Sequence, residues 1–280
     1  LMGLTGVERI LEVVDVKIEE KGKGIPGHFE KIEFESVSFA YSGNSPEERP
    51  AHALKEVSTT LRQGEWVGVY GESGSGKSTF LQMIFGFYQP SHGTIRWNGN
   101  AYSELNTSLI TQKFGVVEQF PFLFSGTIYE NLSLYASKHV DIERLRKEFI
   151  GFPLIQSVLQ NPEMEIHERG SNLSMGQKQM IAFIRAYLAR PEIWILDEAT
   201  AFFDHEAEQE VMRVLTELAQ KHPISVLQVA HRPEALLRMK RWIRVDSGRL
   251  EELTTLDLPK STSNLSVREE AAKNPGPQDL

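Results

Sequence analysis

Nine consecutive residues, Gly71-Glu72-Ser73-Gly74-Ser75-Gly76-Lys77-Ser78-Thr79, constrain this chain more than any others. They satisfy the phosphate-loop pattern G-x-x-x-x-G-K-[S/T] at Gly71, Gly76, Lys77 and Ser78. An apolar run, Trp66–Tyr70, precedes them and reads as a buried strand. Thr79–Phe85 follows and reads as the start of a helix. A strand, a tight loop and a helix in that order predict an α/β fold. Glycine lets the backbone of such a loop curl until successive N–H groups share one concavity. The helix N-terminus adds a positive dipole end beneath it. Lys77 is then placed to bridge outer phosphates and the Ser78 hydroxyl to hold magnesium, while Ser73, Gly74, Ser75 and Thr79 complete the cradle. The plain alternative is a Gly/Ser turn that happens to contain a lysine; the flanking strand and helix speak against it.

A chain of 280 residues has room for one large domain or two small ones. With 40% hydrophobic and 24% charged residues, it has the composition of an ordinary globular protein. Its formal net charge of −8 argues against a general affinity for nucleic acid. Cysteine is absent, which excludes disulfides and thiolate metal sites. No apolar run approaches the ~20 residues that span a bilayer, and the charges at Glu8, Arg9, Glu12 and Asp15 break any signal-peptide pattern in the first residues.

Thr5–Val16 has one apolar helical face, and the charged, Gly-rich Lys17–Gly27 reads as a linker. Ile32, Phe34, Val37 and Phe39 alternate with polar residues as a half-buried strand does, with a slip near Ser36. A polar turn at Ser42–Pro50 separates it from a second strand, Leu54–Leu61. Thr94–Trp97 leads into the turn signal Asn98-Gly99, and Phe114–Glu118 is a further strand. Short helical segments around Ile128–Tyr135, Ile142–Phe149 and Leu154–Leu159 suggest a helical insert. Ser174–Ala189 is a longer helix stopped before Pro191. Ile193–Leu196 and Ser225–Val229 have the near-continuous apolar character of buried parallel strands, with a helix, Asp204–Leu218, between them. Trp242–Val245 and Arg249–Leu253 read as a hairpin about Ser247-Gly248. Beyond about Asp257 the composition predicts disorder.

Two further motifs narrow the chemistry. Ile193–Leu196 runs into Asp197-Glu198. A carboxylate at a strand end beside a phosphate loop can hold magnesium, which assigns Asp197, and Glu198 is then placed to accept a proton from an attacking water. A solvated acid pair in a loop is the bland alternative. The third motif, Asn172-Leu173-Ser174-Met175-Gly176-Gln177 before the helix Lys178–Ala189, resembles the signature of ATP-binding-cassette (ABC) proteins. Roughly from Ile32 to Leu253 the chain is similar to the nucleotide-binding domain of an ABC transporter.

That resemblance implies a phosphate-loop NTPase core with a mixed sheet, an N-terminal antiparallel β-subdomain and a helical signature subdomain at about 120–190, within an ATP-binding domain spanning 28–256. It implies ATP and Mg2+ as ligands. Tyr41 sits where the family stacks adenine, although it also simply ends a strand. Gln119 matches the glutamine that links magnesium and attacking water to the membrane domain; a surface glutamine is the other reading. His231 matches the histidine that contacts the γ-phosphate, against the ordinary alternative of a capping or core histidine. Ser174, Gly176 and Gln177 match the contacts to ATP held by the opposite subunit, and Asp204 the aspartate of the loop after Glu198. Glu168-Arg169-Gly170 resembles a segment typical of exporters. The sequence departs from the family pattern at Met175, at Phe202-Phe203 and at Arg232-Pro233-Glu234, none of them a chemical position.

Gly6–Asp15 resembles the end of the last membrane helix and linker of exporters whose two halves share one chain. The chain also opens on leucine, so residues 1–27 are expected to be a linker from an upstream transmembrane domain, and 257–280 a disordered tail. The expected partners are a second nucleotide-binding domain, identical or not, and a transmembrane domain, with this domain on the cytoplasmic face of the membrane and no nucleic acid. The expected function is ATP-driven transport across a membrane, in the direction of export, by head-to-tail dimerisation. Two alternatives are a soluble ABC ATPase acting on nucleic acid or ribosomes and an ATP-binding regulatory domain.

Overall fold

Two sheets share a core around one short helix in the computed structural model, which describes residues 22–41, 52–134, 136, 139–199, 205–231 and 236–253. The first sheet has the order β2-β1-β4-β5, from β1 (Lys31–Ala40), β2 (His52–Arg62), β4 (His92–Trp97) and β5 (Asn100–Ala101). Its pairings are all antiparallel. The second sheet has the order β12-β11-β3-β10-β9-β6, from β3 (Trp66–Tyr70), β6 (Phe114–Glu118), β9 (Ile193–Asp197), β10 (Ser225–Ala230), β11 (Arg241–Asp246) and β12 (Arg249–Leu253). β11, β3, β10, β9 and β6 run parallel, and β12 closes one edge as the antiparallel half of a hairpin. The α/β class and the antiparallel and mixed sheets expected from the sequence are all present.

The continuous apolar runs follow from burial on both faces of the second sheet. Val67, Val69, Ile193, Ile195, Leu227 and Val229 face the core shared with the first sheet. Their neighbours Tyr70, Trp194, Leu196, Val226 and Ala230 face a second core under the helices. Helix α1 (Lys77–Ile84) buries Phe80, Leu81, Met83 and Ile84 in the first of these cores. Each such side chain, fully buried, contributes about 1.5–3 kcal/mol.

The slip in β1 is a bulge. Glu35 and Ser36 are both exposed and Ser36 has a positive φ of 50°. The bulge leaves amides that two serine side chains satisfy: Ser36 N donates to Ser58 Oγ at 2.9 Å, and Glu56 N to Ser38 Oγ at 2.9 Å. The predicted Asn98-Gly99 turn has φ of 51° and 85°, the primed geometry that suits a hairpin's twist. Asn98 also accepts from the amides of Glu30 and Lys31, both at 3.0 Å.

Helices α3 (Ile128–Ser133), α4 (Ile142–Glu148) and α5 (Pro153–Leu159) form the expected insert, and α6 (Met175–Leu188) packs on β6. The two-stranded pairing of β7 (Gly126–Thr127) with β8 (Glu165–Ile166) and the five-residue α2 (Thr107–Thr111) were not expected. α7 (His205–Lys221) runs three residues beyond the expected Leu218. It presents buried Glu210 to the start of α5, where the carboxylate accepts from Leu154 N at 3.1 Å and Ile155 N at 2.9 Å. The end of the Gly-rich segment expected to be a linker is docked: Gly24 N donates to Glu104 O at 2.9 Å and Asn106 N to Gly24 O at 2.8 Å. The expected helix at Thr5–Val16, the turn at Ser42–Pro50 and the tail beyond Asp257 lie outside the described residues.

Candidate active site

Four parallel strands end together at one edge of the second sheet. Glu118 at the end of β6 pairs in register with Asp197 at the end of β9, which pairs with Val229 of β10; Ala230 pairs with Tyr70, the last residue of β3. The residue after each end is Gln119, Glu198, His231 and Gly71. Strand register alone therefore gathers four of the sequence-predicted positions, at the carboxyl edge where open parallel sheets bind ligands.

The loop after β3 is wedged between backbone segments. A Cβ on Gly71 would lie 2.2 Å from Val245 O, and one on Gly76 2.6 Å from Ala53 O. Gly76 also has a φ of 115°, a conformation that only glycine adopts without strain. Gly248 N, in the β11–β12 turn, donates to Ser75 O at 2.8 Å. The Lys77 ammonium is buried and donates to Gly71 O at 2.7 Å and Glu72 O at 2.8 Å. Loss of hydration holds it below the usual lysine range, with Glu198 and Asp197 pulling it back. Gly76 caps α1 with no side-chain hydrogen bond, and the first turn carries no acid. A desolvated cation below uncapped helical amides fits an anionic, phosphate-like group. Ser73, Gly74 and Ser78 are exposed around it, and Ser75 is buried with its hydroxyl oxygen unpartnered.

The acids lie opposite. Asp197 is pushed up to about 6, first by loss of hydration and then by the charges of Glu198 and Glu118, with Lys77 and His231 opposing. Two further carboxylates near the half-buried Asp197 make this a place that favours a cation. Among the described residues no group of three or more His, Cys, Asp or Glu is arranged to hold a metal alone, so Ser78 and Asp197 would hold it together with ligand oxygens, in the manner of magnesium. Glu198 has a positive φ of 51°, a conformation that costs a non-glycine residue about 1–2 kcal/mol. Its amide donates to Val229 O at 3.0 Å, and its Oε1 lies 2.8 Å from His231 Nε2. The strained backbone thus aims a carboxylate that an imidazole orients.

Tyr41 comes to the same helix. Its hydroxyl meets Thr79 Oγ1 at 3.0 Å and donates to Gln82 Oε1 at 2.8 Å, while its ring stands edge-on to Phe39 and Tyr88 and stays 39% exposed. An exposed ring held at its rim is a stacking surface for a base. At α6, Ser174 Oγ accepts from Gln177 N at 3.2 Å and Gln177 Oε1 from Ser174 N at 2.9 Å, a reciprocal capping box. Ser174 and Gln177 are exposed, and nothing lies within 4 Å of the Cβ position of Gly176. Gln119 is half-buried, and its carbonyl accepts from Gln179 Nε2 at 3.2 Å. Asp204 lies outside the described residues. Sequence reasoning missed Glu118, Gln179, Asn131 and Arg185. The signal for Gln179 and Arg185 was present: two polar residues bracket the apolar run Met180–Ile184 inside a helix.

A phosphate loop, a strand-end acid pair and a facing histidine define the class as a nucleotide-hydrolysing phosphate-loop domain. The ABC transporter family model matches residues 54–201, and the chain belongs to that family as an ATPase domain. It is 36% identical over 255 residues to the uncharacterized ABC transporter ATP-binding protein YknV of Bacillus subtilis, covering 89% of this chain and 41% of that protein. It is 33% identical over 254 residues to the probable multidrug resistance ABC transporter ATP-binding/permease protein YheH of the same organism, covering 87% and 36%. It is 31% identical over 255 residues to an ATP-dependent lipid A-core flippase of Saccharophagus degradans, covering 89% and 42%. The solved structure of a bacterial Atm1-family ABC exporter with ATP bound superposes with a TM-score of 0.75 at 26% identity, covering 90% of this chain and 44% of that one. The chain thus spans about two fifths of the length of these relatives. Among the described residues no helix is long and apolar enough to cross a membrane.

The raised Asp197 carboxyl has a measurable consequence. Because its folded value, about 6, exceeds the ordinary 3.8, the metal-free fold gains from its protonation. That stabilisation is complete below about 3.8 and lost as pH rises through about 6. A carboxylate must lose its proton to take a metal. Mg-ATP affinity measured by calorimetry is therefore expected to fall about tenfold more between pH 7 and pH 5 in the wild type than in Asp197→Asn. Parallel pH profiles for the two proteins would remove Asp197 from the metal site.

Proposed function

We propose that this chain binds Mg-ATP through Tyr41, the loop Gly71–Thr79 and Asp197, and hydrolyses it with Glu198, His231 and Gln119 to drive export across a membrane. The observation that carries this reading is the gathering of Asp197, Glu198 and His231 at one sheet edge by strand register, with the buried Lys77 ammonium close enough to act on both acids. Glu198 accepts the proton of the attacking water, and His231 holds the carboxylate in place. Gln119, on the adjacent strand end, orients the water. Magnesium, when bound, supplies charge neutralisation between phosphate oxygens.

The exposed start of α6, with Ser174, Gly176 and Gln177, suits phosphate held by a second nucleotide-binding domain, and Asp204 is assigned to the same contact between subunits. Two such domains then enclose two ATP molecules head to tail. Beside Gln119, the loop exposes Phe120 at 62%, Phe122 at 56% and Phe124 at 49%. An apolar patch of that kind suits a protein interface, and it supports a reading in which the patch meets a transmembrane domain, with this domain on the cytoplasmic side. The relatives, exporters and flippases among them, speak against a soluble ATPase working on nucleic acid or ribosomes.

Steady-state ATP turnover against protein concentration tests the reading. Turnover per chain is expected to rise with concentration toward a plateau, as a site shared by two chains requires. A rate per chain independent of concentration would mean that one chain suffices.

A further inference from the structure

The loop from Gln119 to Thr127 has little regular backbone pairing before β7, yet three buried side chains from two helices hold its backbone. Gln179 of α6 donates through Nε2 to Gln119 O at 3.2 Å. Arg185 of α6 donates through Nη1 to Phe122 O at 2.8 Å and through Nη2 to Asn131 Oδ1 at 2.7 Å. Asn131 of α3 donates to Phe124 O at 2.9 Å and Thr127 O at 3.0 Å, and accepts from Phe124 N at 3.0 Å. In this way α6, capped by Ser174, is bound to the loop that carries both Gln119 and the exposed phenylalanines.

Gln179 is the informative member. It is 0% exposed, and its Oε1 is buried without a hydrogen-bond partner. An orphaned buried acceptor works against stability. An apolar residue of the same shape would serve the core of α6 better, so packing does not account for a glutamine here. Its single bond to the Gln119 carbonyl does.

We infer that Gln179 and Arg185 are positioning residues: they fix the loop Gln119–Phe124 to the signature helix, so that a shift of α6 at its Ser174 end moves Gln119 and the phenylalanine face with it. Neither side chain touches nucleotide in this account. The inference rests on the reading of the site as ATP-hydrolysing and adds to it the route by which contact with a second chain's nucleotide reaches this chain's own catalytic loop. Coupling of this kind needs a packed, hydrogen-bonded connection, and the three side chains provide that connection.

The test is Gln179→Met in the full chain, with Mg-ATP as the probe. The melting temperature is expected to be unchanged or higher, because the orphaned oxygen is gone and the volume is kept. The KM for ATP is expected to stay within about twofold while kcat falls about tenfold, since a small misplacement at a reacting centre acts on the chemical step. In a Gln119→Ala background the same substitution is expected to change kcat less than about twofold, because the side chain being positioned is already missing. Hydrogen exchange should quicken in the loop 119–124 and not along α6. Arg185→Lys, which keeps the charge but not the fork of donors, is the second variant if the first fails to fold, with the same kcat loss expected. Unchanged kcat in a folded Gln179→Met protein, or losses that add in the Gln119→Ala background, would overturn the inference while the wild-type turnover still upheld the functional reading. A wild type with no turnover at all would overturn both.

Discussion

Glu198→Gln is expected to abolish ATP turnover, with kcat reduced by about two to four orders of magnitude, while Mg-ATP still binds. The substitution keeps the shape of the side chain and a polar contact for His231 Nε2, which lies 2.8 Å from the carboxylate. The fold around it rests on backbone geometry, namely the positive φ of Glu198 and its amide bond to Val229 O. What the amide cannot do is take a proton from water. Removing the charge also relieves Asp197, whose carboxyl Glu198 helps to push up, so metal binding is preserved or improved. ATP that binds and is not split should hold two chains together, and size-exclusion chromatography with Mg-ATP is expected to show a dimer for the variant that the wild type shows only transiently. Near-normal turnover in the variant would take the general-base role away from Glu198.

How much of this could be read from the residues differs by element. The phosphate loop was fully legible, because its glycines answer to local backbone demands: Gly76 to a φ of 115°, Gly71 to a carbonyl 2.2 Å from where its Cβ would be. Asp197 and Glu198 were legible because an apolar strand announces its end, whereas His231 was reached through the family resemblance. The bulge at Ser36 was visible as a slipped alternation. Other features lay beyond local patterns. The hairpin β11–β12 carries its own turn signal, but nothing in it says that β11 also pairs with β3, some 170 residues earlier, as Arg241↔Val67 to Arg244↔Tyr70. The five residues of α2 are too few for a periodicity, although Asn106 caps them through Ser108 N at 3.0 Å. Gly22 and Gly24 read as flexible linker, yet a Cβ on either would lie 2.1 or 2.8 Å from the Glu104 backbone. There the glycines permit close approach rather than freedom. The loop after Gln119 was opaque for a related reason: its partners, Gln179 and Arg185, are about sixty residues away along the chain.

Lys77 is where nucleotide affinity should be most sensitive, and Lys77→Met separates affinity from folding. The ammonium is buried, held below the ordinary lysine range by lost hydration, and satisfied by Gly71 O and Glu72 O. Burial disfavours the charge, so deleting it while keeping the stem's volume should leave the nucleotide-free melting temperature unchanged or slightly raised. The acids it faces need not be stranded, because Asp197 already takes up a proton near pH 6. Binding is another matter. A triphosphate must then approach Asp197, Glu198 and Glu118 with no cation from the chain between them, and each charge-assisted hydrogen bond lost costs about 1.5–3 kcal/mol. Affinity for Mg-ATP is expected to fall at least about 100-fold, or about 2.7 kcal/mol, in a protein that remains folded. Stacking on Tyr41 and the amides of the loop, which depend on Gly76 and not on the lysine, would carry the remainder. Unchanged affinity in the folded variant would show that phosphate is bound elsewhere; loss of the fold would show that the Lys77 bonds to Gly71 and Glu72 outweigh its lost hydration.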